Sequence, residues 1–146
     1  MRLSPVILLV DDSRDDLDIA LRALRRAGLA VDVYTACNGR EALSVLHASG
    51  RADPGERLRP QVIFLDLRMP LLDGFEVLSA LRSHAQTRAI PVVVVSTSAS
   101  PDDARRAYEL GANSYLVKRA ETRDPGGWLA EAARYWVEIN FQPTVG

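Results

Sequence analysis

Cysteine is nearly missing from this chain: Cys37 is the only one among 146 residues. That excludes an intrachain disulfide and suits a reducing compartment. Cys37 follows an alternating, strand-like segment, so it reads as a small buried side chain rather than a redox centre. No apolar run approaches the roughly 20 residues that cross a bilayer. The opening Met1-Arg2-Leu3-Ser4-Pro5 has no secretion-signal pattern, so no membrane association is expected and the expected location is cytoplasmic. The net charge is only -1, which argues against a dedicated nucleic-acid surface. Lysine is scarcer still than its sign-mate: there are 17 arginines and one lysine, Lys118. A compact ammonium and a planar guanidinium are not interchangeable at a tight site, so the one position spared from arginine stands out.

What is present alternates. Val6-Ile7-Leu8-Leu9-Val10 is a continuous apolar run ending in Asp11-Asp12, the pattern of a strand covered on both faces. Ser13 reads as a helix cap, Leu17, Ala20, Leu21 and Leu24 recur at helical spacing, and Gly28 stops the helix. Val31 to Ala36 alternates and reads as a strand nearer an edge; Asn38-Gly39-Arg40-Glu41 caps a second helix with Ala42, Leu43, Val45 and Leu46 inward. Residues 49–60 are turn-rich and charged, a solvated surface loop. Gln61 to Leu65 forms the next strand with Asp66 at its end; Met69-Pro70 breaks it, and Asp73-Gly74 opens a helix facing inward with Phe75, Val77, Leu78 and Leu81. Pro91 precedes Val92-Val93-Val94-Val95 and Ser96-Thr97-Ser98, then Ser100-Pro101 caps a helix running to Gly111. Ser114-Tyr115-Leu116-Val117 is the fifth strand, ending at Lys118. Asp124-Pro125 starts a last helix with Trp128, Leu129, Ala132, Trp136 and Val137 inward. Five strand–helix repeats with short connections predict an α/β domain with a parallel sheet and helices on both faces. One domain is expected over 1–146, with a core from 5 to 140 and a tail from 141 to 146.

In such a sheet all the strand ends share one rim, where ligands bind. That rim gathers Asp11, Asp12, Asp66, Ser96 and Lys118. Three carboxylates in one crevice repel one another, so a pKa rises unless a cation relieves them. A few carboxylates plus water suit Mg²⁺ better than a full Ca²⁺ cage. Beside such an ion Asp66 can act as a nucleophile toward phosphorus, giving an acyl phosphate, with Lys118 and Ser96 each holding a phosphoryl oxygen.

The motifs LLVDD (8–12), FLDLRMPLLDG (64–74), the Ser96 strand end and GANSYLVK (111–118) together resemble the receiver domains of two-component response regulators over nearly the whole chain. The resemblance implies a flavodoxin-like (βα)5 doubly wound sandwich; its strand order 2-1-3-4-5 is known for that fold and not read from these residues. It implies Asp66 as phosphoacceptor from a sensor histidine kinase. Mg²⁺ would be held by Asp11 or Asp12, Asp66 and the main-chain carbonyl of Arg68. Ser96 and Tyr115 match the switch pair. The family usually has proline after the lysine, where this chain has Arg119. Thr97 stands where a smaller residue is common, so slow hydrolysis of the phosphorylated form is expected. The serine-rich strand end, the long loop before the third strand and the missing Lys-Pro pair resemble the small regulators paired with phytochrome kinases, so a bacteriophytochrome is the expected partner type.

The expected protein is a signalling phosphoacceptor, not an enzyme beyond its own phosphoryl transfer and slow dephosphorylation. Trp128, Tyr135, Trp136 and Phe141 put aromatic side chains in the final segment, and a homodimer through the fourth and fifth helix region is expected. A phosphohydrolase of small esters with an aspartate nucleophile is the enzymatic alternative. It typically carries a second aspartate two residues on, where Arg68 stands. A constitutive binding module would have no use for a crowded acidic cluster.

Overall fold

The computed structural model describes residues 4–47, 57–119 and 123–143. The elements are β1 (Val6–Val10), α1 (Arg14–Arg26), β2 (Asp32–Ala36), α2 (Gly39–His47), β3 (Val62–Asp66), α3 (Gly74–Ser83), β4 (Val92–Ser96), α4 (Pro101–Glu109), β5 (Ser114–Val117) and α5 (Gly127–Arg134). The five strands form one parallel sheet in the order β2-β1-β3-β4-β5. It is the flavodoxin-like sandwich. Most of the loop expected over 49–60 lies outside the described residues.

The continuous apolar runs are strands because both of their faces are covered. In β1, Leu8 and Val10 face α2, α3 and α4, while Ile7 and Leu9 face α1 and α5. In β3, Ile63 and Leu65 go to the first layer, Val62 and Phe64 to the second; β4 divides the same way. A period of two thus feeds two cores, and every residue of β3 and β4 is buried. β2 has only Ala36 buried, as an edge strand should.

The caps stand where the residue types predict. Ser13 accepts from the Asp16 amide, Asp73 and Glu76 form a reciprocal capping box, and Ser100 caps α4 with Pro101 in its first turn. Gly74 is required by space: a Cβ there would lie 2.4 Å from the Asp66 carbonyl oxygen. The start of α3 therefore presses directly on the end of β3.

The last helix departs from expectation. It begins at Gly127 instead of at Asp124-Pro125, and after Arg134 its bonding widens into a π turn over Tyr135–Ile139. The residues expected to face inward do so, with Leu129 buried and Trp128, Ala132, Trp136 and Val137 packed against the α1–α5 core. The tail is tied at its start, since the Gln142 side chain donates to the Gln61 carbonyl at 3.0 Å.

Candidate functional site

Register builds the site. Val10 pairs with Leu65, so the next residues on those strands, Asp11 and Asp66, end side by side. Ser96 pairs with Val117, which places Lys118 one step beyond. The main chain there is fixed by the Lys118 amide donating to the Ser96 carbonyl at 2.7 Å. Between β1 and β3 the chain order reverses, and in open α/β sheets this switch point is where ligands sit.

Asp11, Asp12 and Asp66 each bring a carboxylate oxygen into a group spanning no more than 4.8 Å. Asp11 and Asp66 are buried and Asp12 is exposed. Such an oxygen-only set fits a hard divalent cation that keeps some of its water. Lys118 Nζ donates to Asp11 Oδ2 and to Asp16 Oδ2, each at 2.8 Å, and stands 3.8 Å from Asp66 Oδ1. Asp11 is further oriented by the Ser13 amide, which donates to Oδ1 at 2.9 Å.

Burial pushes the Asp66 carboxyl up to about 7, against the pull of the Lys118 ammonium; the charges of Asp11 and Asp12 raise it further, and the Arg68 amide works to lower it. Burial also opposes the Lys118 charge. The carboxylates of Asp11 and Asp16 and the charge of Asp66 outweigh that and hold its pKa above the ordinary lysine value. Asp66 thus has one ammonium nearby and two carboxylates against it, an arrangement that a divalent cation would relieve.

Beside these groups lies a cavity of about 520 Å³. Asp11, Asp16, Asp66 and Lys118 line it together with apolar side chains that include Phe64, Val95 and Trp128.

Ser96 is fully buried, and its Oγ accepts from the Ser98 amide at 3.1 Å. The Ser98 carbonyl accepts from the Tyr115 hydroxyl at 2.9 Å. Ser98 Oγ donates to Asp103 Oδ2 at 2.7 Å, and the Arg68 guanidinium donates to the same oxygen at 2.9 Å. The two residues matched as a switch pair are thus joined through Ser98, and α4 is tied to both through Asp103. Tyr115 is half-buried against the α2–α3–α4 core. All peptide bonds among the described residues are trans, that before Arg119 included.

Asp16 and Ser98 were missed as site residues. Asp16 reads from sequence as an acidic residue in a first helical turn, where the helix dipole alone accounts for it. Of the four aromatics expected at an interface, Tyr135 and Phe141 are exposed at 44% and 92%, whereas Trp128 and Trp136 are half-buried against the α1–α5 core.

A doubly wound sheet with an acidic rim and one ammonium at its switch point is the architecture of a phosphoryl-accepting signalling domain. The chain belongs to the response regulator receiver domain family, whose sequence pattern matches residues 7–124. It is 39% identical to the probable methanogenesis regulatory protein FilR2 of Methanothrix harundinacea over 94% of this chain and 87% of that one. It is 33% identical to the response regulator Rcp1 of Synechocystis over 94% and 92% of the two chains. The crystal structure of Mn²⁺-bound Rcp1 superposes with a TM-score of 0.83, at 31% identity, covering 96% of this chain and 99% of that one. The phosphorylated cyanobacterial phytochrome response regulator RcpA superposes with a TM-score of 0.88 at 32% identity, covering 97% and 100% of the two chains. This chain is therefore a two-component signalling protein that receives its phosphoryl group from a histidine kinase. No helix among the described residues is long and apolar enough to cross a membrane.

Proposed function

We propose that Asp66 is the phosphoacceptor and that the donor is a sensor histidine kinase of the phytochrome type. The observation that carries the first half is the pairing of a buried, partner-poor carboxylate with the Lys118 ammonium 3.8 Å away. The second half is supported by the likeness to Rcp1 and RcpA, the latter being a phytochrome response regulator.

In the transfer, an Asp66 oxygen forms the new P–O bond while the P–N bond of the kinase phosphohistidine breaks. The imidazole keeps that electron pair and takes a proton from water. Asp11, Asp12, Asp66 and the main-chain carbonyl of Arg68 would hold Mg²⁺, which when bound would supply charge neutralisation for the phosphoryl oxygens. Lys118 binds one phosphoryl oxygen as a point charge. The Ser96 hydroxyl turns to another and in doing so gives up the Ser98 amide. Ser98 is the carbonyl partner of Tyr115, so loosening that turn frees the ring to move inward, a local charge change biasing a two-state element.

Output leaves through a homodimer surface formed by α4, β5 and α5 with the π turn. The exposed Tyr108, Tyr135, Ile139 and Phe141 support this reading, Trp128 and Trp136 contributing from partly buried positions. Sedimentation at tens of micromolar should show a dimer; a monomer at high micromolar concentration removes this part.

The direct test is incubation with Mg²⁺ and acetyl phosphate followed by intact mass. Wild type should gain one phosphoryl group and Asp66→Asn none, and the adduct should decay over many minutes with Thr97 beside it. The same adduct on the Asn variant moves the acceptor elsewhere.

A further inference from the structure

Asp16 takes no part in the chemistry above, yet it makes one of the two shortest contacts of the chain's single lysine. Lys118 Nζ lies 2.8 Å from Asp16 Oδ2 and from Asp11 Oδ2, and 3.8 Å from Asp66 Oδ1. Asp11 and Asp66 belong to the carboxylate group that fits a divalent cation; Asp16 does not. The ammonium therefore shares two of its three carboxylates with the place of the cation and has the third to itself. Two cations drawn to the same oxygens oppose each other, both by repulsion and by using up the same lone pairs.

Among the described residues, Asp11, Asp16 and Asp66 are the partners of that ammonium. Lysine carries a compact charge on a flexible four-carbon stem, so its head group goes where its contacts hold it. Arg119 follows it, so the restriction that a proline places on the preceding residue is absent. Asp16, by contrast, is anchored: it lies in the first turn of α1, and its amide donates to the Ser13 side chain at 3.2 Å. Its carboxylate lines the same cavity as Asp66 and Lys118.

We propose that Asp16 is a positioning residue: the seat that keeps the Lys118 ammonium at the rim when a divalent cation claims Asp11 and Asp66, so that both charges occupy the rim together. The proposal rests on the reading that Asp11, Asp12 and Asp66 hold the cation. Without this seat the ammonium falls back on Asp11 and Asp66 and resists the cation's entry.

The test is Mg²⁺ titration of the full chain, followed by tryptophan fluorescence because Trp128 lines the cavity. Four proteins are compared: wild type, Asp16→Asn, Lys118→Met and the double variant, with thermal unfolding as a check on folding. Asp16→Asn should weaken Mg²⁺ binding about five- to tenfold, the low end of ordinary coupling between sites. Lys118→Met should tighten binding, and adding Asp16→Asn to it should change nothing further. Asp16→Glu, which keeps the charge, should restore most of the wild-type affinity. Asp16→Ser is the second truncation, with the same expectations. Equal weakening in both lysine backgrounds overturns the proposal, because Asp16 would then attract the ion directly. Unchanged affinity in Asp16→Asn overturns it as well. Failure of the wild type to bind Mg²⁺ sinks the metal reading itself, a different result from either.

Discussion

Arg82 at one rim of the sheet and Lys118 at the other are both half-buried, and the fold uses them in opposite ways. At the N-terminal rim of β4 and β5, Arg82 donates to the carbonyl oxygens of Gly111, Ile90, Arg88 and Thr87 and to Asn113 Oδ1. Those acceptors are neutral, fixed in the main chain, and matched to a fork of donors. Gly111 has φ +108, and a Cβ there would meet Arg82 atoms at 2.8 Å, so glycine serves both the turn and the guanidinium. At the opposite rim Lys118 sits among Asp11, Asp16 and Asp66, an excess of negative charge over positive. One cation completes a knot of dipoles. The other leaves an excess of negative charge that a divalent cation would neutralise.

The largest expected effect sharpens that contrast. Arg82→Met strands several carbonyl oxygens in partly buried positions and should lower unfolding free energy by about 2–4 kcal/mol. Arg82→Lys should recover little, because an ammonium cannot reach acceptors spread around a planar fork. Lys118→Met should cost less, since the crowded carboxylates it leaves can take up a proton instead of staying charged. Chemical denaturation of the three variants decides it. Equal losses for Arg82→Met and Lys118→Met break the distinction between the rims.

These rims were unequally legible in the sequence. The functional rim stands out because fully buried strands read as continuous apolar runs, and each run ends in a polar residue. Lys118 stands out by being alone of its kind. Arg82 is invisible by the same measure, one of 17 arginines, on a helix whose buried apolar stripe of Phe75, Val77, Leu78 and Leu81 does not include it. Its partners come from two separate connections, before β4 and before β5, and no local pattern announces them. Asp16 and Ser98 were hidden for a related reason, since their partners lie on other elements. The π turn after Arg134 also has no residue signature, because it is a shift in which carbonyl each amide meets.

A smaller effect tests whether the functional rim is held at a cost. The Asp66 carboxyl titrates at about 7 in the folded chain, against 3.8 for the ordinary group. Between those values the folded state keeps a proton that the unfolded state has lost. Stability therefore falls as pH rises through that window, and the penalty is complete above about pH 7. Asparagine cannot ionise, so in EDTA Asp66→Asn should be more stable than wild type at pH 8 by on the order of 1–2 kcal/mol, reduced from the full value by water at the mouth. The difference should shrink toward nothing near pH 4. Mg²⁺ should narrow it at pH 8 by stabilising the wild type alone. An Asn variant no more stable than wild type at pH 8 shows the acidic rim to be unstrained.

The smallest effect lies in the backbone beside Asp66. Leu71 is the only non-glycine residue with positive φ among the described residues, at +70°, and the Leu72 amide donates across it to the Pro70 carbonyl at 2.8 Å. A bond over two residues around a positive φ is a γ-turn of the strained kind. Elsewhere positive φ falls on glycine, at Gly28, Gly111 and Gly126; here it falls on a leucine that is 75% exposed and has little packing to lose. Holding a branched side chain there costs roughly 1–2 kcal/mol. Leu71→Gly removes that cost but loosens the unfolded chain by about 0.5–1 kcal/mol. The net should be a gain of about 0.5 kcal/mol, the residue of those two estimates, read as a slightly higher denaturation midpoint with an unchanged slope. A loss of about 1 kcal/mol instead means that the leucine is unstrained and only the entropy term remains, in which case the loop after Asp66 is as relaxed as the turn at Gly111.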